Sequence, residues 1–592
     1  MPVEIAEPLH QDARDSAPPG RRGKRAARRL LPFVAVGAAC AGLFCCYARL
    51  SATFPGGSDG ASNALEAWDL LHGNALLRGW TLTDVSFYTT ELPEYAAVEL
   101  ARGLNPGALH VAAALTYTLL ILLAAFLARG RARGREGWAW ALITAGVMLA
   151  PQLGDGVHVL LAQPDHVGTQ VLILGTFLVL ERAPRHWYTP IAVWALLTVA
   201  IVADKITIVD AVVPLAFAGL LHAIWTRQPS AHRFELSVAV AAGAALATAQ
   251  PLLTLISRAG GFTLMPVQTA LSAPGRVPGH LSLAWHGILS LYGADVTTAP
   301  PGPQVVLAWL HAPGIALAVA AFAVAAWHVP SQRDFTGDVL AVGIVVNLAG
   351  FVASVIPATP FDTREIAALL PFGAVLAGRV FGPRLTAAVT IRERARAPRF
   401  RAPRFRLPRC RPSVAALAVA GACQLAALGC GATRPAAPDP EQALAGWLAA
   451  HGLTAGLGTF TDANLTTLDS GGAVRVLAVS WVRPGPPARR PFLPDLRTGQ
   501  GAQFPQPGGA VPRLYQSSAS WYDPRAQYAN FVVSGSADGP ADLIPRADVI
   551  ALAGPPAGTY EFGSFTIMVW DENLLALLGG PPSERPGDIG RP

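Results

Sequence analysis

Charge is scarce in this chain. Only 14% of its 592 residues are Asp, Glu, Lys or Arg, whereas 52% are hydrophobic. A water-soluble fold has no interior large enough to hide so much apolar side chain, so the bilayer is the expected solvent. Lysine is nearly missing: Lys24 and Lys205 stand alone among arginines. With abundant Ala, Gly and Pro, that bias is typical of a GC-rich bacterial genome, so the expected location is a bacterial plasma membrane. Cysteine is confined to the first apolar run, as Cys40, Cys45 and Cys46, and to positions at or in the last, as Cys410, Cys423 and Cys430. The chain beyond them has no disulfide framework, and no Cys/His spacing suits zinc. The net charge of +7 does not indicate nucleic acid, because the arginines fall in short links between apolar runs, where they set membrane orientation. A cleavable signal peptide is not expected either, since residues 1–29 are polar and no small-residue cleavage site follows the first apolar run.

A spanning helix needs roughly 17 to 25 mostly apolar residues. Segments 30–48, 107–128, 137–153, 167–180, 186–203, 206–225, 236–256, 303–327, 339–356, 366–382 and 412–430 are the candidates, which predicts about eleven spans. Basic residues mark alternate links. Arg21, Arg22, Lys24, Arg25, Arg28 and Arg29 crowd a cytoplasmic tail of residues 1–29. Arg129, Arg131, Arg133 and Arg135 follow the second run, and the link at 383–411 holds ten Arg against one Glu. The transmembrane domain is therefore 30–431, with external loops at 51–106 and 257–302 and the C-terminus outside the cell. Segment 167–180 is short, and 206–225 contains Asp210, a feature of helices that line a polar cavity.

From residue 432 the pattern changes. Pro-rich stretches alternate with strand-like runs at 474–482, 528–533, 549–552 and 560–570, and a helix is predicted at 442–451. This predicts a soluble extracytoplasmic α+β domain over 432–592, with Trp447, Trp481, Trp521, Tyr522, Phe531 and Trp570 available for its core. No internal repeat is present.

Polar residues gather in the external links. The first carries Gly56-Gly57-Ser58-Asp59-Gly60 and later the polar stretch from Thr83 to Tyr95, in which Asp84 and Glu91 are candidate substrate-binding groups. A carboxylate about ten residues beyond the first span is placed to act as a base at the membrane surface, so Asp59 is the candidate catalytic residue. The alternative is a structural Asp in a Gly-rich turn. Asp155, Asp165 and His166 in the next external link have the chemistry to hold Mg or Mn, or else to cap helices. Lys205 offers a compact charge for a phosphate, or balances Asp204. Arg364 offers a bidentate grip on a phosphate, or pairs with Asp362 or Glu365. His280, His286 and Asp295 mark an interfacial helix and its end.

The arrangement over 30–430 resembles the GT-C superfamily of membrane glycosyltransferases, which use sugars carried on a polyprenyl phosphate: a first span, a long first loop with an early Asp, an acidic second loop, many spans and a late external Arg. The resemblance implies inverting transfer to an extracytoplasmic glycan or protein acceptor, with Asp59 as base and Lys205 and Arg364 on the lipid phosphate. Asp155, Asp165 and His166 correspond to the acidic second loop. After Asp59 stands Gly60, where many members of the family carry a second acidic residue. Two other functions compete: a transporter or flippase of a lipid-linked substrate, and a non-catalytic envelope scaffold.

Overall fold

The computed structural model describes residues 19–183, 186–225, 229–266, 270–299, 301–328, 334–396, 414–482, 509–535 and 544–578. Helix α1 (Pro19–Ser51) is followed by the first loop, which is itself folded into α2 (Ser58–Leu71), β1 (Trp80–Leu82) and α3 (Glu91–Arg102). Then come α4 (Gly107–Arg129), α5 (Gly134–Met148), the short α6 (Asp155–Leu161), α7 (Val167–Arg182) and α8 (Thr189–Ala203). A π-helical turn at Ile208–Val212 leads into α9 (Val213–Trp225). After it the chain runs through α10 (Pro229–Arg258), β2 (Thr263–Leu264), α11 (Val277–Leu291), α12 (Pro303–His328) and α13 (Phe335–Ala353). A 3-10 turn at Pro360–Ile366, α14 (Leu369–Arg396) and α15 (Val414–Ala432) complete the helical part.

Each predicted apolar segment is thus helical over most of its described length. Among the described residues, five helices are individually long and apolar enough to cross a bilayer, and the 3-10 turn with α14, bent by 47°, makes a sixth. Helix formation is dictated by the solvent, because a backbone in lipid must satisfy its own hydrogen bonds. Helix α14 continues through Pro383 to Arg396, so part of the link predicted at 383–411 is helical and residues 397–411 lie outside the described set.

The bundle has a polar seal at each end. At the end where α4 and α7 finish, Arg379 of α14 donates to Asp334 at 2.5 and 2.8 Å, to Glu181 at 3.2 Å and to the Leu127 carbonyl at 3.0 Å. Nearby, His222 of α9 meets Asp338 at 2.5 Å and Glu235 at 3.4 Å. These contacts tie α4, α7, α9, α10, α13 and α14 together, and leave the opposite end to the first loop and the turns before α7 and α14.

The C-terminal domain is α/β. Its elements are α16 (Pro440–Ala450), β3 (Ala455–Gly458), α17 (Phe460–Asp469), β4 (Arg475–Val482), β5 (Gly509–Pro512), β6 (Ser517–Ser518), β7 (Phe531–Gly535), α18 (Arg546–Ala553), β8 (Gly558–Phe562) and β9 (Phe565–Val569). A mixed sheet of order β5-β4-β3-β7-β9-β8 buries both faces. On β4, Val476 and Ala478 join Leu444, Leu448 and Phe531 on one side, while Leu477 and Val479 join Met568 and Trp570 on the other. Two predicted strands are corrected. Segment 549–552 lies in α18, since Pro545 opens a helix there and so short an apolar run carries no period of its own. Segment 560–570 is a hairpin, because Gly563 at φ +59° turns the chain between β8 and β9.

Candidate active site

Asp59 sits in the first turn of α2, and the glycines around it exist because Gln163 is so close. A Cβ on Gly57 would lie 2.4 Å from Gln163 Oε1 and one on Gly60 2.9 Å from it, while the Gly60 N–H donates to that same oxygen at 3.0 Å. The Gln163 amide in turn donates to Asp165 Oδ2 at 2.7 Å. Asn63, one helical turn after Asp59 and on the same face, donates to Asp165 Oδ1 at 2.8 Å. The turn before α7 is therefore bolted to the helix that carries Asp59.

Arg364, from the 3-10 turn before α14, closes the group. Its Nη1 lies 3.3 Å from Asp59 Oδ2 and 3.9 Å from Asp165 Oδ2. An aromatic stack supports it: Phe54 lies on His158 at 4.2 Å, His158 on Phe361 at 4.5 Å, and the Arg364 guanidinium over Phe361 at 4.3 Å. Burial, and secondarily Arg364, lower the His158 pKa to about 4, so this ring adds no charge beside the guanidinium. Arg364 Nε is buried without a hydrogen-bond partner. That N–H is a donor awaiting an acceptor.

Beside this group is a second one. His166, held at φ +59°, places Nδ1 2.7 Å from Asp204 and Nε2 3.4 Å from Glu365. Burial opposes its charge, but Glu365 and Asp204 outweigh that and raise its pKa to about 10. Burial, reinforced by Asp59, raises Asp165 to about 7. A non-glycine residue in the left-handed region between two carboxylates is strained backbone. The loop at 83–90 docks here as well, with the Ser86 and Phe87 N–H groups donating to the Ala203 carbonyl at 2.8 and 3.0 Å. Half-buried Asp84 feels the charges of His166 and Lys205, and Lys205 is exposed at the rim.

Not every predicted residue joins the group. Glu91 is fully buried and accepts from the Thr169 N–H at 2.9 Å, so it caps the start of α7 and does not face the mouth. Asp155, in the first turn of α6, shares no hydrogen bond or ion pair with Asp165 or His166 among the described residues. Predicted histidines His280 and His286 serve α11, with His286 meeting Asp295 at 3.0 Å. Deeper in the bundle, Asp210 of the π turn accepts from Gln170 at 2.5 Å and Asn347 at 2.6 Å.

No protein-family model matches the sequence, and no curated protein gives a significant match. Among solved structures, the fold is similar to ArnT from Cupriavidus metallidurans in the apo state, with a TM-score of 0.50 and 15% identity over 94% of this chain and 100% of that one. The undecaprenyl phosphate complex of ArnT gives 0.49 and 14% over the same shares. The Archaeoglobus fulgidus oligosaccharyltransferase in its apo form gives 0.44 and 13%, over 74% of this chain and 64% of that one, so this chain spans less than two thirds of that enzyme's length. The chain has the GT-C fold.

The carboxylates do not make a cation cage. Among the described residues no group of three or more His, Cys, Asp or Glu is arranged for a metal. Both Asp165 oxygens receive side-chain amide N–H groups, both His166 nitrogens face carboxylates, and a guanidinium stands beside Asp59. The divalent cation expected on Asp155, Asp165 and His166 does not fit this donor set.

Sequence reading missed Asn63 and Gln163, which are neutral and unremarkable in sequence. It had Asp204 and Glu365 only as partners of Lys205 and Arg364.

Proposed function

We propose that the chain is a membrane glycosyltransferase of GT-C type, moving a sugar from a polyprenyl-phosphate donor to an extracytoplasmic acceptor. One observation carries this reading: Asp59, the adjacent pair Asp165 and His166, and Arg364, from three separate segments, meet at one end of the bundle, with a buried Arg364 N–H left unpartnered. In the reaction, the acceptor hydroxyl gives its proton to Asp59 and its oxygen attacks the anomeric carbon. The bond from that carbon to the phosphate oxygen breaks on the opposite face, so configuration inverts and the lipid phosphate leaves with the electron pair. Arg364, with Lys205 at the rim, stabilises the charge that develops on it. Asp165 and the His166 group hold the base and the guanidinium in place.

The expected orientation has about eleven crossings of a bacterial plasma membrane, a cytoplasmic N-terminus and an extracytoplasmic C-terminal domain. Alternating arginine-rich links support it. Asp59 and Arg364 then face outward, where a polyprenyl phosphate presents its head group.

Incubating the purified protein in vesicles with polyprenyl-phosphate-linked sugars tests the reading. Sugar transfer with release of free polyprenyl phosphate is the expected result. Movement of the intact lipid across the vesicle without cleavage would establish a flippase, the second reading, which the Asp210, Gln170 and Asn347 group inside the bundle favours.

A further inference from the structure

The first turn of α2 carries Asp59 and has no side-chain cap of its own. Its N-cap is Gly57, which offers no oxygen to the free N–H groups behind it. A larger capping residue is shut out, because a Cβ there would collide with Gln163 Oε1. The turn is held from outside instead, on two sides. On one, the turn before α7 binds Gly60 and Asn63. On the other, the C-terminal domain binds Ser58 and Ser62, the residues immediately before Asp59 and Asn63.

The second hold comes from α17. Asn464 is buried and donates its amide to the Ser62 hydroxyl at 2.6 Å, and that hydroxyl donates in turn to the Ser58 carbonyl at 2.7 Å. With a donor on one side and an acceptor on the other, the Ser62 hydroxyl has its orientation fixed. Ser58 Oγ donates to the Thr461 carbonyl at 3.2 Å. Around these bonds Leu465 and Leu468 share one buried cluster with Ala61, Leu65 and Trp80, and a Cβ on Gly56 would stand 3.2 Å from Leu465. Strand β6 adds a second attachment to the same loop, pairing antiparallel with β1, Trp80 opposite Ser518 and Thr81 opposite Ser517.

We propose that Asn464 of the C-terminal domain is a positioning residue for Asp59, fixing the first turn of α2 through Ser62 and Ser58 and so the direction in which the carboxylate meets an acceptor. The assignment rests on the glycosyltransferase reading above. Arg364 reaches the site from the 3-10 turn before α14, where it lies on Phe361 and beside Asp165. The C-terminal domain therefore serves the proton transfer to Asp59 and leaves the hold on the lipid phosphate to the helical bundle.

The test uses the full-length protein in nanodiscs, with undecaprenyl phosphate as the binding probe and an undecaprenyl-phosphate sugar that the wild type accepts as donor. Asn464→Leu keeps the volume and removes the amide; Ser62→Ala is the milder change at the other end of the same bond. In each, kcat should fall about tenfold to a hundredfold, the scale of a base displaced by roughly 1 Å, with undecaprenyl phosphate affinity within about twofold of wild type. The double variant should be no slower than Asn464→Leu, since both substitutions act through one bond. Amide hydrogen exchange over residues 58–63 should quicken in both single variants. Unchanged kcat, unchanged exchange protection, or a loss of lipid affinity matching the loss of kcat would each overturn the positioning role while the wild type stays active. A wild type that binds undecaprenyl phosphate but transfers no sugar would overturn the glycosyltransferase reading, and the assignment with it.

Discussion

Arg364 Nη1 stands 3.3 Å from Asp59 Oδ2, joining two residues 305 positions apart in the chain. The contact is single and both side chains are partly exposed, so it is a loose pair whose net contribution to stability is small. On the proposed reading, a phosphate arriving from the bilayer would compete with the Asp59 carboxylate for the same cation, so donor binding would draw Arg364 away from the proposed base.

Asp59→Asn should therefore abolish sugar transfer while sparing donor binding. Loss of a general base typically slows a reaction by about 10² to 10⁴-fold, and the amide keeps the shape of the carboxylate. Turnover and polyprenyl-phosphate affinity measured on the same preparation separate the two effects. Full turnover in Asp59→Asn removes the proposed base.

Arg364→Lys should not rescue what Arg364→Gln loses. A lysine keeps the charge but cannot lie flat on Phe361 while offering both Nη1 and Nε to its partners. Each variant is expected to weaken donor binding, Gln by roughly 2 kcal/mol or more and Lys by about half that. Equal affinity of Lys and wild type, read by calorimetry, would show that a point charge suffices.

How much of this was legible in the sequence depends on contrast. Asp59, Asp165 and Arg364 are charges in links of a chain where charge is scarce, so reading alone isolates them, and the apolar runs announce the helices. Glu91 shows the same contrast and is misleading, since a buried carboxylate capping α7 looks no different in sequence from a ligand. Gln163 and Asn63 are silent because neutral amides occur everywhere. The docking of the C-terminal domain on the first loop could not be read, because it follows from strand addition between segments far apart in the chain, and β6 is only two residues long.

His166 makes stability depend on pH. Its pKa rises from about 6.5 to about 10 on folding, so the folded state binds the proton more tightly. The stabilisation is fully present below the unfolded value near 6.5 and is lost as pH rises toward 10. Melting temperature should fall across that window in wild type. In His166→Gln it should be lower at neutral pH, by the equivalent of about 3 kcal/mol for a broken buried pair, and nearly flat above pH 6.5. A parallel decline in both proteins would assign the effect to another group.

Chelation offers the sharpest contrast with a metal-dependent site. A divalent cation between Asp59 and Asp165 would have to displace Arg364 and compete with the amide donors of Asn63 and Gln163, which already address both Asp165 oxygens. Arg364 supplies the positive charge in that place, covalently attached and protonated at every accessible pH. Transfer activity after exhaustive EDTA treatment should therefore remain within about twofold of the untreated enzyme, an energy difference below roughly 0.5 kcal/mol. Activity abolished by EDTA and restored by Mn or Mg, in wild type but not in Asp165→Asn, would mean that Arg364 swings out to admit a cation.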